Sequence, residues 1–363
     1  MQGGERHTYY FLNALSRYAQ ITCFTVEENK TWDNNAIKIN PLLGSSQNKF
    51  RYINASLISK IKQYCKSEGI TNVMIEHPYY GWLGYMLKKK AGVKFIIHSH
   101  NIESFRFKTL GKSWWKLLYH YEKFAHQKAD VNFFITEEDK EIAIKEFHLQ
   151  PGKCFISTYG INTLTAPSVE KVAAKQQVCK ELGLDVQNRL LLFNGALNYG
   201  PNRTAAEHIV IKINPLLQQK MRQPYKIIIC GKADDELKAL LTAANNEEIV
   251  YAGFVPDIQQ YFLAADIFIN PVVEGGGIKT KLVEALGANT PAVSFQSGAF
   301  GIPELAVGDS LTVIADNNFE GFANAVMEKM KRPQENVPPS FYEHFNWDKI
   351  ARRALQNITT ASL

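Results

Sequence analysis

A glycine-rich run followed by two lysines is the stretch of this sequence best suited to binding a phosphate group. Gly275, Gly276 and Gly277 precede Lys279 and Lys281, at the start of an amphipathic pattern typical of a helix. Consecutive glycines let the backbone approach a ligand closely, and the amides and dipole at a helix start favour an anion. A flexible loop before a solvated helix start would have the same composition, so the run by itself leaves both interpretations open.

A carboxylate and a second glycine loop could complete such a site. Glu284 lies one to two helical turns beyond the glycines, where a carboxylate can accept hydrogen bonds from sugar hydroxyls. Gly195 follows an apolar run that predicts a strand, and ligands of open α/β sheets bind at the carboxyl ends of strands. Pro201 and Asn202 further along this loop are also an ordinary signal for the start of a helix.

Polar side chains of another kind follow a predicted strand in the first half of the chain. The segment His98-Ser99-His100-Asn101-Ile102-Glu103 brings two imidazoles, an amide and a carboxylate to one strand end. A lone histidine there is more often structural than catalytic, but the combination favours a functional site. No His, Asp or Glu group has the spacing of a metal-ligand set, so the sequence predicts no metal.

An aromatic and basic stretch runs from Phe105 to Lys128. It holds seven aromatic residues and six Lys or Arg against a single acid, Glu122. A helix with aromatic residues on one face and lysines on the other can lie in a membrane interface. The same aromatic residues could be core residues, because one face of the helix must bury against the sheet.

Length and composition narrow the class of protein. The chain has 363 residues, 45% of them hydrophobic and 21% charged, which suits two globular domains. Five scattered cysteines without a C-x-x-C pair predict neither a disulfide framework nor a zinc site. A formal charge of +6 suits anionic ligands or an anionic surface, and no nucleic-acid-binding signature accompanies it. Without a long apolar run or a signal-peptide pattern, the sequence predicts a soluble, cytoplasmic protein.

Short apolar runs alternate with helix-period segments along nearly the whole chain, which predicts an α/β protein with parallel strands. In the second half we predict strands near 189–193, 226–230, 249–252, 266–270, 292–295 and 311–314. In the first half we predict strands near 21–26, 72–76, 93–98, 131–135 and 154–157. Each set suits a doubly wound, Rossmann-like domain, although neither the dinucleotide fingerprint nor a Walker A motif is present. We place the domains at residues 1–163 and 170–340, with a polar linker between them.

The opening of the first domain departs from this pattern. A doubly wound domain normally begins with a strand, yet Gly3 and Gly4 come at once and a helical pattern follows. We therefore expect the first sheet to lack its central strand, and the natural protein to be longer by about ten residues, the length of a strand and its loop. The chain in hand should then be less stable or less active than the extended one.

The order of these motifs resembles that of the GT-B glycosyltransferases, and in particular the retaining members of family 4. The resemblance covers nearly the whole chain, and its most specific part is the second half: Phe193-Asn194-Gly195, Ile229-Cys230-Gly231-Lys232, Tyr251 to Ile258, Ala264 to Pro271, the glycine run with Glu284, and Thr290-Pro291-Ala292-Val293. In the first half, the positions that look like those of the family are Gly3-Gly4, His100-Asn101-x-Glu103, Ala129-Asp130 and Tyr159-Gly160-Ile161-Asn162.

The resemblance implies transfer of a sugar, with retained anomeric configuration and without metal or cofactor. The C-terminal domain would bind a nucleotide-diphosphate sugar, and the N-terminal domain a saccharide or lipid-linked acceptor in cell-surface polysaccharide or glycan synthesis. It also implies that the last helix, within 344–363, packs back on the first domain. The alternative is an inactive, sugar-binding or scaffolding relative in a polysaccharide assembly system.

The family pattern also implies residue roles. Those for donor binding are Gly195, Asn202, Gly231, Phe254, Gly275, Gly276, Gly277, Lys279, Lys281 and Glu284, and those on the acceptor side are Gly3, Gly4, Asn101 and Glu103. In the family's Glu-x7-Glu pattern the second Glu binds the ribose, and Glu284 matches it; Gly276 stands at the first, so Glu274 would contact the sugar instead. The Arg and Lys that many members use to bind the diphosphate are missing, so we assign diphosphate binding to Lys279 and, second, to Lys281. With His100 touching the sugar or acceptor, we take His100, Glu274 and Lys279 as the catalytic residues.

Overall fold

The computed structural model describes residues 3–29, 36–167, 169–243, 246–331 and 336–361 of the chain. These residues form two compact units, the first within 1–160 and 347–363 and the second within 161–346. The sequence placed the boundaries at residues 163 and 344. Each unit is an α/β structure in which every strand pair is parallel.

The first unit contains six strands alternating with helices. In chain order they are α1 (Gly3–Leu15), β1 (Ile21–Phe24), β2 (Ile37–Asn40), α2 (Ser56–Ser67), β3 (Asn72–Glu76), α3 (Gly81–Ala91), β4 (Lys94–Ser99), α4 (Glu103–Thr109), α5 (Trp115–Lys128), β5 (Val131–Phe134), α6 (Glu137–Phe147) and β6 (Cys154–Ile156). Strands β3, β4, β5 and β6 form one sheet in that order. All residues of β4 after Lys94 are buried, which places its polar end, His98 and Ser99, inside the unit.

The remaining two strands form a sheet of their own. β1 pairs with β2 over four residues, and in the described part of the chain neither is bonded to the other sheet. β2 was not predicted, because its short run Ile37-Lys38-Ile39-Asn40 mixes charged and polar residues with only two apolar ones. The described strands of the first unit therefore form two separate parallel sheets, β1-β2 and β3-β4-β5-β6.

The first glycines belong to the helix that the following residues predict. Gly3 and Gly4 form the first turn of α1, since the helical pattern of the following residues extends back to include them. Glycine is tolerated at this end, because the first amides of a helix have no intrahelical partner.

The described part of the second unit contains nine α-helices and six strands. They are α7 (Val169–Leu182), β7 (Arg189–Asn194), α8 (Gly200–His208), α9 (Asn214–Lys220), β8 (Tyr225–Cys230), α10 (Asp235–Leu241), β9 (Ile249–Gly253), α11 (Ile258–Ala264), β10 (Ile267–Asn270), α12 (Thr280–Gly287), β11 (Ala292–Phe295), α13 (Glu304–Val307), β12 (Leu311–Ile314), α14 (Phe319–Lys331) and α15 (Pro339–Phe345). All six strands predicted for this half are confirmed. A π-helical turn over Ile209–Ile213 joins α8 to α9, next to Pro215, which cannot donate a helical hydrogen bond.

The strands of the second unit form one sheet in the order β12-β11-β10-β7-β8-β9. The chain winds outward from β7 through β8 and β9, then returns to β10 on the other side of β7. The strand order therefore reverses between β7 and β10. In open α/β sheets the crevice at the carboxyl ends of the two strands at such a switch point binds the ligand.

The last helix, α16 (Trp347–Thr360), lies in the first unit. Its buried stripe includes Ile350 and Ile358, and Leu355 is half-buried. At the exposed margin, Tyr18 donates a hydrogen bond of 2.5 Å to Asp348. The short α15 was not predicted; it begins at Pro339, a residue that is favoured in the first turn of a helix.

Candidate active site

Two loops meet at the switch point of the second unit. Gly195 opens the loop after β7, and the run Gly275–Gly277 lies between β10 and α12. A side chain built on Gly275 would lie 3.6 Å from the hydroxyl of Tyr199 and 3.7 Å from the ring of Pro201. The structure thus brings the glycine run against the start of α8, as parallel strands that end at one sheet edge require.

Lys281 in the first turn of α12 connects these loops. Its Nζ donates to the side-chain oxygen of Asn202 at 2.6 Å and to the carbonyl of Asn194 at 3.1 Å. It also lies 4.6 Å from the centre of the Phe193 ring, a cation–π distance. Asn202 in turn donates to the carbonyl of Ala196 at 3.1 Å. Two loop segments and a helix start are therefore joined through one ammonium group.

Lys279 stabilises the glycine run from within. Its Nζ donates to the carbonyls of Gly275 and Gly277, at 2.7 and 3.0 Å. Burial lowers the pKa of Lys279 to about 8, and burial together with the neighbouring Lys279 lowers the pKa of Lys281 to about 7. An ammonium has three donors, so each lysine can still donate to an incoming anion. An anion would also favour the charged form of both.

Close backbone packing explains the glycines at this edge. Gly275 and Gly277 have φ values of +91° and +70°, which side-chain-bearing residues rarely adopt. Gly231, at the end of β8, has φ +140°, and a side chain there would begin 1.8 Å from the carbonyl oxygen of Gly195. Only glycine lets the ends of β7 and β8 approach this closely.

The predicted carboxylates lie on either side of the glycine run. Glu284 is half-buried in α12, one turn after Lys281, while Glu274 and Gly276 are exposed in the loop itself. Phe254 follows the end of β9 and is 80% exposed. Glu274, Gly276 and Phe254 thus follow the carboxyl ends of strands of one sheet, and Glu284 lies in the helix after the glycine run.

Two features of this site were not predicted from the sequence. The aromatic residues Tyr199 and Phe193 contact the glycine run and Lys281, although both stand in the strand–loop segment that the sequence singled out. Arg203 in α8, near the position of the expected diphosphate-binding Arg, is paired with three carboxylates: Glu207, Asp234 and Glu236. This guanidinium is therefore engaged by carboxylates of α8 and of the start of α10.

In the first unit, a buried network surrounds the end of β4. Glu76, the last residue of β3, accepts from His98 Nδ1 at 3.0 Å and contacts His100 Nε2 at 2.9 Å. Burial by itself would raise the pKa of Glu76, but the two imidazoles lower it well below its usual range. Neither Glu76 nor His7, whose ring centre lies 4.7 Å from that of His100, was singled out in the sequence. They come from separate elements, β3 and α1.

The predicted acceptor-side residues separate into two kinds. A side chain on Gly4 would begin 3.4 Å from Nδ1 of His100, so this glycine lies next to the histidine. Asn101, the residue that follows His100 in the chain, is half-buried. Glu103 is fully buried and accepts a hydrogen bond of 2.7 Å from Tyr79. Burial opposes its ionisation, but the imidazole of His77 at 3.4 Å and the hydrogen bond from Tyr79 lower its pKa to about 2. Its place is structural, at the start of α4.

The aromatic and basic stretch divides its residues between core and surface. Leu118, Glu122, Ala125 and His126 of α5 are buried. Leu110, Trp114 and Leu117 are exposed by 56, 48 and 75%. Lys108, Lys112 and Lys116, which alternate with them along the chain, are also exposed. We call these six residues the α4–α5 patch. Among the described helices, none is long and apolar enough to cross a membrane.

The fold and this site define a class: a protein of two Rossmann-like units with a nucleotide-type crevice in the second. Comparison with protein families agrees. Residues 1–163 match "Glycosyltransferase Family 4", and residues 188–332 match "Glycosyl transferases group 1". The chain therefore belongs to the group 1, family 4 glycosyltransferases of GT-B fold.

Similar proteins include a curated galactosyltransferase and several solved structures. The chain is 26% identical over 246 residues to the UDP-Gal:alpha-D-GlcNAc-diphosphoundecaprenol alpha-1,3-galactosyltransferase of Escherichia coli, covering 66% of this chain and 60% of that enzyme. It resembles Anabaena HepE, solved with UDP, at a TM-score of 0.74, with 16% identity over 99% of this chain and 96% of that one. A glycosyltransferase from Rickettsia africae gives a TM-score of 0.72, with 16% identity over 99% and 94% of the two chains.

Proposed function

We propose that this protein moves a sugar from a nucleotide-diphosphate sugar to a saccharide or lipid-linked acceptor. The observation that carries the proposal is the convergence of Gly195, the glycine run and two half-buried lysines at the switch point of the second unit. This edge lies in the residues that match the group 1 glycosyltransferases. The ligand best suited to it is a diphosphate attached to a nucleoside.

The lysines would supply the charge that this chemistry needs. In the transfer, the bond between the sugar's anomeric carbon and the diphosphate oxygen breaks. A bond to an acceptor hydroxyl oxygen forms, and the hydroxyl proton leaves with the diphosphate. Negative charge grows on the diphosphate, so cations fixed beside it stabilise the transition state. Lys279 and Lys281 would do this without a metal ion, with Glu284 on the ribose and Glu274 near the sugar.

The first unit would present the acceptor. We infer that His100 touches the transferred sugar or the acceptor, because its ring is fixed by Glu76 at a strand end. Retention of the anomeric configuration belongs to the same proposal and rests on the family pattern.

The α4–α5 patch supports a lipid-linked acceptor. The acceptor in the name of the E. coli relative is a diphosphoundecaprenol-linked sugar. Exposed Trp and Leu side chains between lysines suit an interface of anionic lipids, where the apolar groups enter and the ammonium groups pair with headgroups. We propose that the protein is cytoplasmic, works at the inner membrane face and serves cell-surface polysaccharide synthesis.

A transfer assay tests the proposal. The full chain would be mixed with a panel of labelled nucleotide sugars and a membrane extract that contains lipid-linked acceptors, and label in the lipid fraction would be measured. We expect transfer from one donor, unchanged by a chelator, and an α-linked product if that donor is an α-linked sugar. Transfer that a chelator abolishes and magnesium restores would refute the metal-independent mechanism.

The alternative is an inactive sugar-binding relative, and it rests on Gly276 standing at the family's first Glu position. It predicts donor binding without transfer or hydrolysis for every nucleotide sugar. Calorimetric binding of the same panel alongside the assay would separate the two.

A further inference from the structure

Three histidines of the first unit form a cluster that the proposed sugar transfer does not require. His7 of α1, His98 at the end of β4 and His100 just after it are all buried. One ring nitrogen of each lies within 4.8 Å of the corresponding nitrogen of the other two. Imidazoles from three chain positions thus meet around one point.

Hydrogen bonding leaves nitrogens of this cluster available. Both ring nitrogens of His7 and Nε2 of His98 are buried and have no hydrogen-bond partner among the residues that the structure describes. Buried polar nitrogens are normally satisfied, so several at one place indicate a missing ligand. A metal ion suits these nitrogens, because each neutral imidazole offers one lone pair.

Glu76 prepares two of the rings for this role. It engages Nδ1 of His98 and Nε2 of His100, at 3.0 and 2.9 Å. A carboxylate that accepts the proton of one ring nitrogen leaves a lone pair on the other, here Nε2 of His98 and Nδ1 of His100. This carboxylate–histidine arrangement is what supports imidazole ligands in metal sites.

We propose that His7, His98 and His100 bind a divalent transition metal of the zinc type, with Glu76 orienting two of the ligands. Imidazole suits zinc, copper, nickel and iron. Zinc–nitrogen bonds of about 2.0–2.1 Å place tetrahedral ligand nitrogens about 3.4 Å apart, so small rotations of the rings would close the site. The fourth position would hold water.

Such a site has a consequence for the reaction. His100 as a metal ligand could not contact the sugar or acceptor, so zinc would inhibit transfer. This consequence rests on the proposed function, whereas the metal site itself does not.

The test is metal binding by the untagged full chain, measured without any nucleotide. Titration with Zn²⁺ in a calorimeter should give one site per chain, and Co²⁺ should give the visible absorption of tetrahedral nitrogen coordination. His7→Ala should abolish both, and Glu76→Gln should weaken binding by about 10- to 100-fold. His7→Cys should restore Co²⁺ binding and add a sulfur-to-metal absorption band.

A matched control separates this site from adventitious binding. His148 is exposed and has φ +54°, a conformation that asparagine also accepts, so His148→Asn should bind metal as the original chain does. Circular dichroism would check the fold of each variant. Zinc binding that survives His7→Ala, or the absence of a one-to-one site in the original chain, would overturn the proposal. Zinc binding without inhibition of transfer would leave the site standing and contradict the role of His100.

Discussion

We predict that the protein takes up protons when a nucleotide binds at the switch point of the second unit. Burial lowers the pKa of Lys281 to about 7 and the pKa of Lys279 to about 8. At pH 8, Lys281 is therefore mostly neutral and Lys279 is half charged. A bound diphosphate favours the charged form of both. Binding of UDP at pH 8 should therefore draw roughly 0.9 of a proton onto Lys281 and roughly 0.5 onto Lys279, about 1.4 in all.

The same values fix the direction and size of the pH effect on affinity. Neutral lysines must take up protons to bind, so affinity falls as pH rises through 7 and 8. The two pKa values give a dissociation constant for UDP about 10-fold larger at pH 8 than at pH 7. At pH 6 both lysines are already charged, and they should contribute only about 0.1 of a proton.

Calorimetry in buffers of different ionisation enthalpy measures this uptake directly. Lys281→Arg keeps the charge but cannot titrate, so uptake at pH 8 should fall to about 0.5 of a proton. Lys279→Arg should leave about 0.9, and the double variant should report any contribution of the nucleotide itself. UDP binding without net uptake at pH 8, or uptake unchanged by both substitutions, would refute the assignment of the lysines to the diphosphate.

Three further predictions concern other parts of the molecule. Glu284→Gln should weaken UDP binding by about 1 to 3 kcal/mol if it binds the ribose, and unchanged calorimetric affinity would contradict this. Trp114→Ala with Leu117→Ala should lower binding to vesicles with anionic lipids, measured by sedimentation, while equal sedimentation would remove the α4–α5 patch from the proposal. Burial raises the pKa of Glu122 to about 7, above its unfolded value, so the stability that this group contributes falls as pH rises from about 4.5 to 7. In urea unfolding at pH 5 and 8, Glu122→Gln should reduce the difference in unfolding free energy between the two pH values. An unchanged difference would refute this prediction.

Local pattern was sufficient to predict the second unit. Its strands are short apolar runs such as Arg189–Asn194 and Tyr225–Cys230, each fully surrounded by sheet neighbours and helices. The glycine run and Gly195 were recognisable because glycines that follow a strand are typical of ligand-binding loops in open α/β sheets. Their meeting follows from the sheet order, which the sequence suggests only through its resemblance to the family.

The first unit shows where local pattern fails. β2 was missed because a four-residue strand with two polar residues resembles a loop, and its pairing with β1 depends on distant residues. Only part of the cluster around His100 was predicted. His98 and His100 are close along the chain, whereas His7 and Glu76 are distant in sequence and lie beside them in the folded structure. No spacing rule along the sequence can reveal ligands that separate elements bring together.

Differential labelling of lysines tests the central claim, that a nucleotide diphosphate binds at the switch point of the second unit. The full chain would be acylated at pH 8 with and without saturating UDP, and each lysine followed by mass spectrometry. UDP should protect Lys279 and Lys281, while the exposed Lys60 of the first unit should react equally in both samples. UDP binding that leaves Lys279 and Lys281 as reactive as before would contradict the claim.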